Sequence, residues 1–220
     1  MRKVIWTVVL VVALGAYGTT PSYNDLGEAP EYPRAALIGR FEAIGAGAGS
    51  AEGASVSASA DRSTYVVGSP LLDIEQGRIG SVALYEDGER SFITFDARFD
   101  TLYGSEVSMS PDGSVFAVGA PGRQPRADGL LEVYVRPESG WEDEMAPIFR
   151  VSGASITGEV TSELGSSISM SGRAGTTIIA GTPGALNGQG RAYYFIEPED
   201  GWASLSDETF DFGYLGAAGD

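Results

Sequence analysis

Beyond its first few residues, this chain has only carboxylates and arginines as charged side chains with which to do chemistry. Histidine and cysteine are absent, and the single lysine is Lys3. That excludes a Ser-His-Asp triad, a Cys-His pair, a Schiff base, a Ser-Lys dyad and a thiolate zinc site. What remains is chemistry of the glycosidase kind, in which two carboxylates face one pocket roughly 5–9.5 Å apart. The acidic clusters are Glu142-Asp143-Glu144, Glu197-Pro198-Glu199-Asp200 and Ser206-Asp207-Glu208. Each falls in or beside a polar turn between β-rich runs, where a charge run is solvated surface. The glycine-rich 45–53 precedes a strand and so offers phosphate no helix N-terminus. No catalytic, cofactor or metal residue is expected.

The elements that would position a site come from an internal repeat. The segments 52–70, 103–121 and 164–183 align as x-Gly, a serine-alternating strand, a polar turn, an apolar strand and Gly-x-Pro. The third copy is one residue longer, and the extra residue falls in the turn at 171–176, where a structural repeat tolerates it. Each copy continues through a loop into two more β-rich runs, separated by turns at Asp87-Gly88, Ser139-Gly140 and Asp200-Gly201. Gly53, Gly104 and Gly165 are 51 and 61 residues apart. Four antiparallel strands at that period predict an all-β chain of β-propeller blades, about three of them. The repeats lie near 52–97, 103–151 and 164–215. Serines on the first strands suit a crowded axis, with Val56, Val107 and Ile168 between them. The apolar second strands suit burial on both faces. Gly68, Gly119 and Gly181 allow close backbone approach, and Pro70, Pro121 and Pro183 end strand pairing.

Gly119-Ala120-Pro121, with Gly68-Ser69-Pro70 and Gly181-Thr182-Pro183, resembles the FG-GAP repeat, the blade unit of integrin α-subunit propellers. The phenylalanine of that motif is replaced by Glu52, Tyr103 and Leu164. The resemblance covers roughly 36–220. It implies an extracytoplasmic binding or adhesion role. Residues 108–119 also resemble a WD40 repeat, but no Gly-His or Trp-Asp dipeptide accompanies them. Integrin-like blades often hold calcium in the turn between first and second strands, on a loop of several aspartates. The turns here, 59–64, 110–114 and 171–176, hold one, one and no carboxylate, against the six to eight oxygens calcium wants.

The chain opens with Arg2 and Lys3, a 13-residue apolar run from Val4 to Ala16, and small residues at Ala16 and Gly18. This is the pattern of a signal peptide over 1–18, cut before Thr19, and the run is short for a membrane anchor. A Pro-rich linker over 19–35 leads to the propeller region, 36–220. The chain is expected to be secreted or on the cell surface. Loss of Arg2 and Lys3 takes the formal charge from −16 to −18. Such a surface repels nucleic acid and anionic membrane.

Because strands alternate in direction, the loops entering each first strand share a face with the loops at 71–79, 122–128 and 184–189. Loops of varied length over a repeated scaffold are where recognition resides. Asp73, Glu75, Arg123, Arg126, Asp128, Asn187 and Gln189 are the candidate binding residues there, for a protein or glycan. The alternative reading is part of a carboxylate-dependent hydrolase or lyase, or a WD40-like scaffold. Propellers close with four to eight blades. Three leave open faces, with Ile178 and Ile179 among the apolar residues of the last blade. The reading is therefore a partial propeller: a fragment of a longer one, a chain that assembles with others to complete a ring, or an open wedge. The isolated chain is expected to self-associate or aggregate unless the missing blades are supplied.

Overall fold

The structure is a computed structural model that describes residues 49–71, 73–74, 77–78, 80–95, 101–122, 127–143, 145–172, 177–205 and 213–215. The expected leader, the linker and the strand near 36–43 lie outside them. No helix among the described residues is long and apolar enough to cross a membrane.

The chain is all-β, and its described residues form three four-stranded antiparallel sheets that each follow chain order. The first contains β1 (Ser55–Ala58), β2 (Thr64–Ser69), β5 (Ser81–Glu86) and β6 (Glu89–Phe95). The loop after β2 forms an unforeseen hairpin of its own, β3 (Asp73–Ile74) and β4 (Gly77–Arg78). The second sheet holds β7 (Glu106–Met109), β8 (Val115–Gly119), β9 (Leu130–Val135) and β10 (Phe149–Ser152). The third holds β11 (Ile168–Ser171), β12 (Thr177–Thr182), β13 (Arg191–Ile196) and β14 (Gly213–Leu215). Two short helices, α1 (Gly153–Thr157) and α2 (Ala185–Gly188), sit in loops.

The repeat is visible in the backbone itself. Ala51, Leu102 and Glu163 are left-handed, and so are Gly53, Gly104 and Gly165 two residues later. Each of these glycines donates to the glycine of its own Gly-x-Pro: Gly53 to Gly68 (3.0 Å), Gly104 to Gly119 (3.1 Å) and Gly165 to Gly181 (3.1 Å). A left-handed backbone that must close this bond is why glycine recurs at the entry to every first strand.

The second sheet is buried on both faces. Phe116 and Val118 of β8 pack towards the first sheet, against Val66, Val82 and Leu84. Val115 and Ala117, alternating with them, pack towards the third, against Ile168, Ile178 and Ala180. This two-sided burial is the reason β8 is apolar throughout. Phe116 stacks on Tyr134 at 4.8 Å between ring centres, and Trp202 closes the other core against Phe149 at 5.9 Å. The first strands adjoin one another, β1 beside β7 and β7 beside β11. Ser55 Oγ donates to the Gly104 carbonyl (2.8 Å), and the Met109 amide donates to Ser57 Oγ (3.1 Å). The serines of the first strands are therefore stitches between sheets as well as small residues.

Of the adjacent isoleucines of the third sheet, Ile178 is fully buried against the second sheet. Successive strand residues point to opposite faces, so Ile179 takes the outer face, at 39 % exposure.

Candidate functional site

The loops expected to share a face do so through one bond made three times. The residue after each Gly-x-Pro donates its amide to the residue three before the entry glycine of its repeat. Leu71 donates to Ser50 (3.1 Å), Gly122 to Thr101 (2.7 Å) and Gly184 to Ser162 (3.2 Å). Each pair ties the loop that enters a sheet to the loop between its second and third strands, giving loops fixed at their bases.

The third pair of loops is the most fully described. Leu186 and Asn187 are consecutive left-handed residues (φ 55° and 56°), within α2. Neither is glycine, so the turn stores strain of roughly 1–2 kcal/mol per residue. Two bonds hold it there: the Leu186 amide donates to Glu159 Oε1 (3.0 Å), and the Gly190 amide donates to the Ala185 carbonyl (2.9 Å). The outcome is that Asn187 and Gln189 stand exposed at the loop tip. Asp128 is half-buried, and its carbonyl accepts the Ser162 hydroxyl and the Leu164 amide (3.3 Å). It thereby joins the loop of the second sheet to that of the third. Asp73 pairs with Arg78 across the small hairpin. Glu75, Arg123 and Arg126 lie outside the described residues. The structure thus brings Asp128 to the loops that hold Asn187 and Gln189, and leaves Asp73 in the separate two-stranded hairpin of the first repeat.

Two carboxylates sit in the turns between first and second strands, and both are occupied by their own turns. Asp61 accepts from the hydroxyls of Ser59 (2.6 Å) and Ser63 and from the Ser63 amide (3.0 Å). Asp112 repeats this with Ser110 (2.7 Å), the Ser114 hydroxyl (2.7 Å) and the Ser114 amide (3.1 Å). The Ser59 bond leads the set that holds the Asp61 carboxyl below its usual range. At Asp112 partial burial pushes the carboxyl up, but the bonds from Ser114 and Ser110 outweigh it and leave it lowered. Among the described residues, no group of three or more acidic side chains could hold a metal ion.

The sequence reading missed one buried carboxylate, Glu132 on β9, which is only 1 % exposed. Its Oε2 accepts from the hydroxyls of Tyr134 (2.7 Å) and Tyr103 (3.0 Å), which also bond each other (2.8 Å). Its Oε1 is taken by Arg150 from the neighbouring strand β10, through Nε (2.6 Å) and through a salt bridge. Burial, then the nearby Glu132 charge, drives the Tyr103 phenol well above its ordinary value. With both oxygens engaged, Glu132 ties the entry of the second repeat to its third and fourth strands and is not a base aimed at a substrate. The available signal was a lone acid inside the apolar run "LLEVYV" of a strand buried on both faces, which requires a partner.

No protein-family model matches the chain, and no curated protein matches it significantly in sequence.

Proposed function

We propose that the three sheets are blades of an FG-GAP-like propeller, and that the chain is an exported, non-catalytic module binding a protein or glycan through its loop face. What supports the radial reading is that first strands adjoin across both sheet interfaces. The left-handed entry residues recurring in each repeat support it too. The observation that carries the binding reading is the thrice-made bond between loop bases, at Leu71–Ser50, Gly122–Thr101 and Gly184–Ser162. It holds loops of different sequence in one constant frame, which is how a repeat scaffold diversifies recognition. The strained, exposed turn at Leu186–Asn187 favours the same face, since backbone strain collects at ligand-contacting segments. Three of the described carboxylates are engaged within the fold, Glu132 by its phenols and arginine, Asp61 and Asp112 by their serines.

The test is an array of glycans and extracellular proteins probed with the exported chain. Any ligand found is then titrated against a chain in which 184–190 is exchanged for a short Gly-Ser turn. Affinity should fall at least tenfold with the far-UV spectrum unchanged. Equal binding after exchange of this loop, and of 71–79 and 122–128 as well, would overturn the reading.

A further inference from the structure

The sequence holds two asparagines, Asn24 before Asp25 and Asn187 before Gly188. The turn at the tip of the third repeat's loop itself selects the second pair. Asn187 sits at φ 56° and ψ 38°, and Gly188 at φ 87°. Asparagine and glycine accept such a left-handed succession more readily than other residues do. Both are exposed, and a β-carbon on Gly188 would meet nothing within 4 Å. A thermolabile side-chain amide therefore stands in solvent beside a backbone nitrogen that no side chain shields. Those are the two reactants of succinimide closure.

Three bonds oppose the reaction. The Gly188 amide donates to the Gly184 carbonyl (3.1 Å), so the nitrogen that would attack is held in the turn by its own proton. The Gly190 amide donates to the Ala185 carbonyl (2.9 Å) and closes the loop behind it. The Leu186 amide donates to Glu159 Oε1 (3.0 Å), 27 residues earlier, in the loop that enters the third repeat. This last bond clamps the turn from outside. Leu186 is left-handed without being glycine, so opening the turn releases strain and the clamp is what holds it closed.

We propose that Asn187 is a self-modification site, gated by the bond between Glu159 and Leu186. In the opened turn the Gly188 amide loses its proton to hydroxide, and its nitrogen attacks Asn187 Cγ. The N–Cγ bond forms, the Cγ–Nδ2 bond breaks, and ammonia leaves with a proton taken from water. Water then opens the ring at either carbonyl, giving aspartate or isoaspartate at position 187. The sum is one water taken up and one ammonia released, with no oxidant or reductant. The new carboxylate lies one residue from the amide that Glu159 holds, and like charge weakens that clamp. Isoaspartate also routes the backbone through Cβ, so the bonds of Gly188 to Gly184 and of Gly190 to Ala185 no longer fit the same turn. The change is one-way and frees the loop, whatever that loop binds.

The test ages the full exported chain at neutral and mildly alkaline pH, natively and in guanidinium chloride. Arg173 and Arg191 bound a tryptic peptide, 174–191, whose tandem mass spectrum separates Asn187 from Gln189. Residue 187 of the native chain should gain the mass difference between water and ammonia, and faster as pH rises. The native rate should be at least about tenfold below that in denaturant, where the turn is open. Glu159→Ala should raise the native rate about tenfold, the worth of a hydrogen bond to a charged acceptor, with the far-UV spectrum kept. Glu159→Gln keeps a neutral acceptor for the Leu186 amide and should raise it about threefold. Asn187→Gln should abolish the change, because its side chain would have to close a larger ring. A native chain unmodified at 187 while the denatured chain converts overturns the proposal. So does a native rate equal to the denatured one, or one that neither Glu159 variant moves. Failure here leaves the loop-binding reading intact, because no ligand enters the assay.

Discussion

The carbonyl oxygen of Gly104 occupies the space that a side chain on Gly68 would need, since a β-carbon there would lie 2.0 Å from it. The relation recurs between Gly119 and Gly165, at 2.1 Å. The sheets therefore approach at their inner strands until backbone meets backbone, and no relaxation of a side chain relieves a clash with a carbonyl. Gly68→Ala and Gly119→Ala should each destabilise the chain by about 3 kcal/mol or more, the range reserved for overpacked cores. Gly181→Ala meets the Ser167 hydroxyl, which can rotate away. Its cost should stay under about 1 kcal/mol. Urea unfolding of all three variants checks the contrast. Equal losses at the three positions would refute it.

The buried cluster around Glu132 gives a second expectation. Removing Arg150 takes one partner from a carboxylate in the interface between the first two sheets. Arg150 is itself 53 % exposed and Tyr103 and Tyr134 still donate to Glu132, so Arg150→Leu should cost about 1–2 kcal/mol. Glu132→Leu together with Arg150→Leu should recover most of that, because Tyr103 and Tyr134 still bond each other at 2.8 Å. A double variant as unstable as Arg150→Leu alone would show that the carboxylate itself carries the interface.

Most of the fold was legible, and the reason lies in backbone geometry. The entry glycines, the serines of the inner strands and the Gly-x-Pro stops are each demanded by a contact that recurs, so residue type alone exposed the sheets. Ile178 and Ile179 were less legible, because two isoleucines side by side give a strand no apparent inside. Only the register Ile178↔Phe195 and Ile179↔Tyr194, with its neighbouring sheet, distinguishes them. Among the candidate residues, Asn187 and Gln189 were legible as loop-tip positions because the repeat marks 184–189 as the connection between second and third strands. Glu132 was missed because its partners are remote in sequence: Tyr103 is 29 residues before it and Arg150 is 18 after.

Alkaline pH isolates Tyr103. The chain has ten tyrosines, one lysine and no cysteine, so phenols dominate its titration between about pH 9 and 11. Burial first, then the Glu132 charge, raises the folded-state value of Tyr103 well above the ordinary one. Tyr85 is raised too, by burial and then by the Glu52 charge. A raised folded value means that this contribution is complete below the unfolded value near pH 10 and fades as pH climbs towards the folded one. The urea midpoint should fall steadily above about pH 10. Tyr103→Phe should flatten that fall while costing some stability at neutral pH. An unchanged alkaline slope in Tyr103→Phe would count against the assignment.

The turn carboxylates give the opposite limb. The folded value of Asp112 is lowered, so its contribution is present above the unfolded value near 3.9 and is lost as pH falls through the folded one. Asp112→Asn keeps the acceptor of the turn and removes the titration, so it should flatten the loss of stability below about pH 4. At neutral pH it should cost about 1 kcal/mol or less. The same occupancy bears on calcium. The oxygens of Asp61 and Asp112 already accept two serine hydroxyls and an amide each. A cation would have to displace those bonds and find several more oxygens to complete its shell. Millimolar calcium and a chelator should therefore give melting temperatures within about one degree of each other. A rise of several degrees with calcium but not magnesium would reveal a bound ion by linkage, and would require these turns to open.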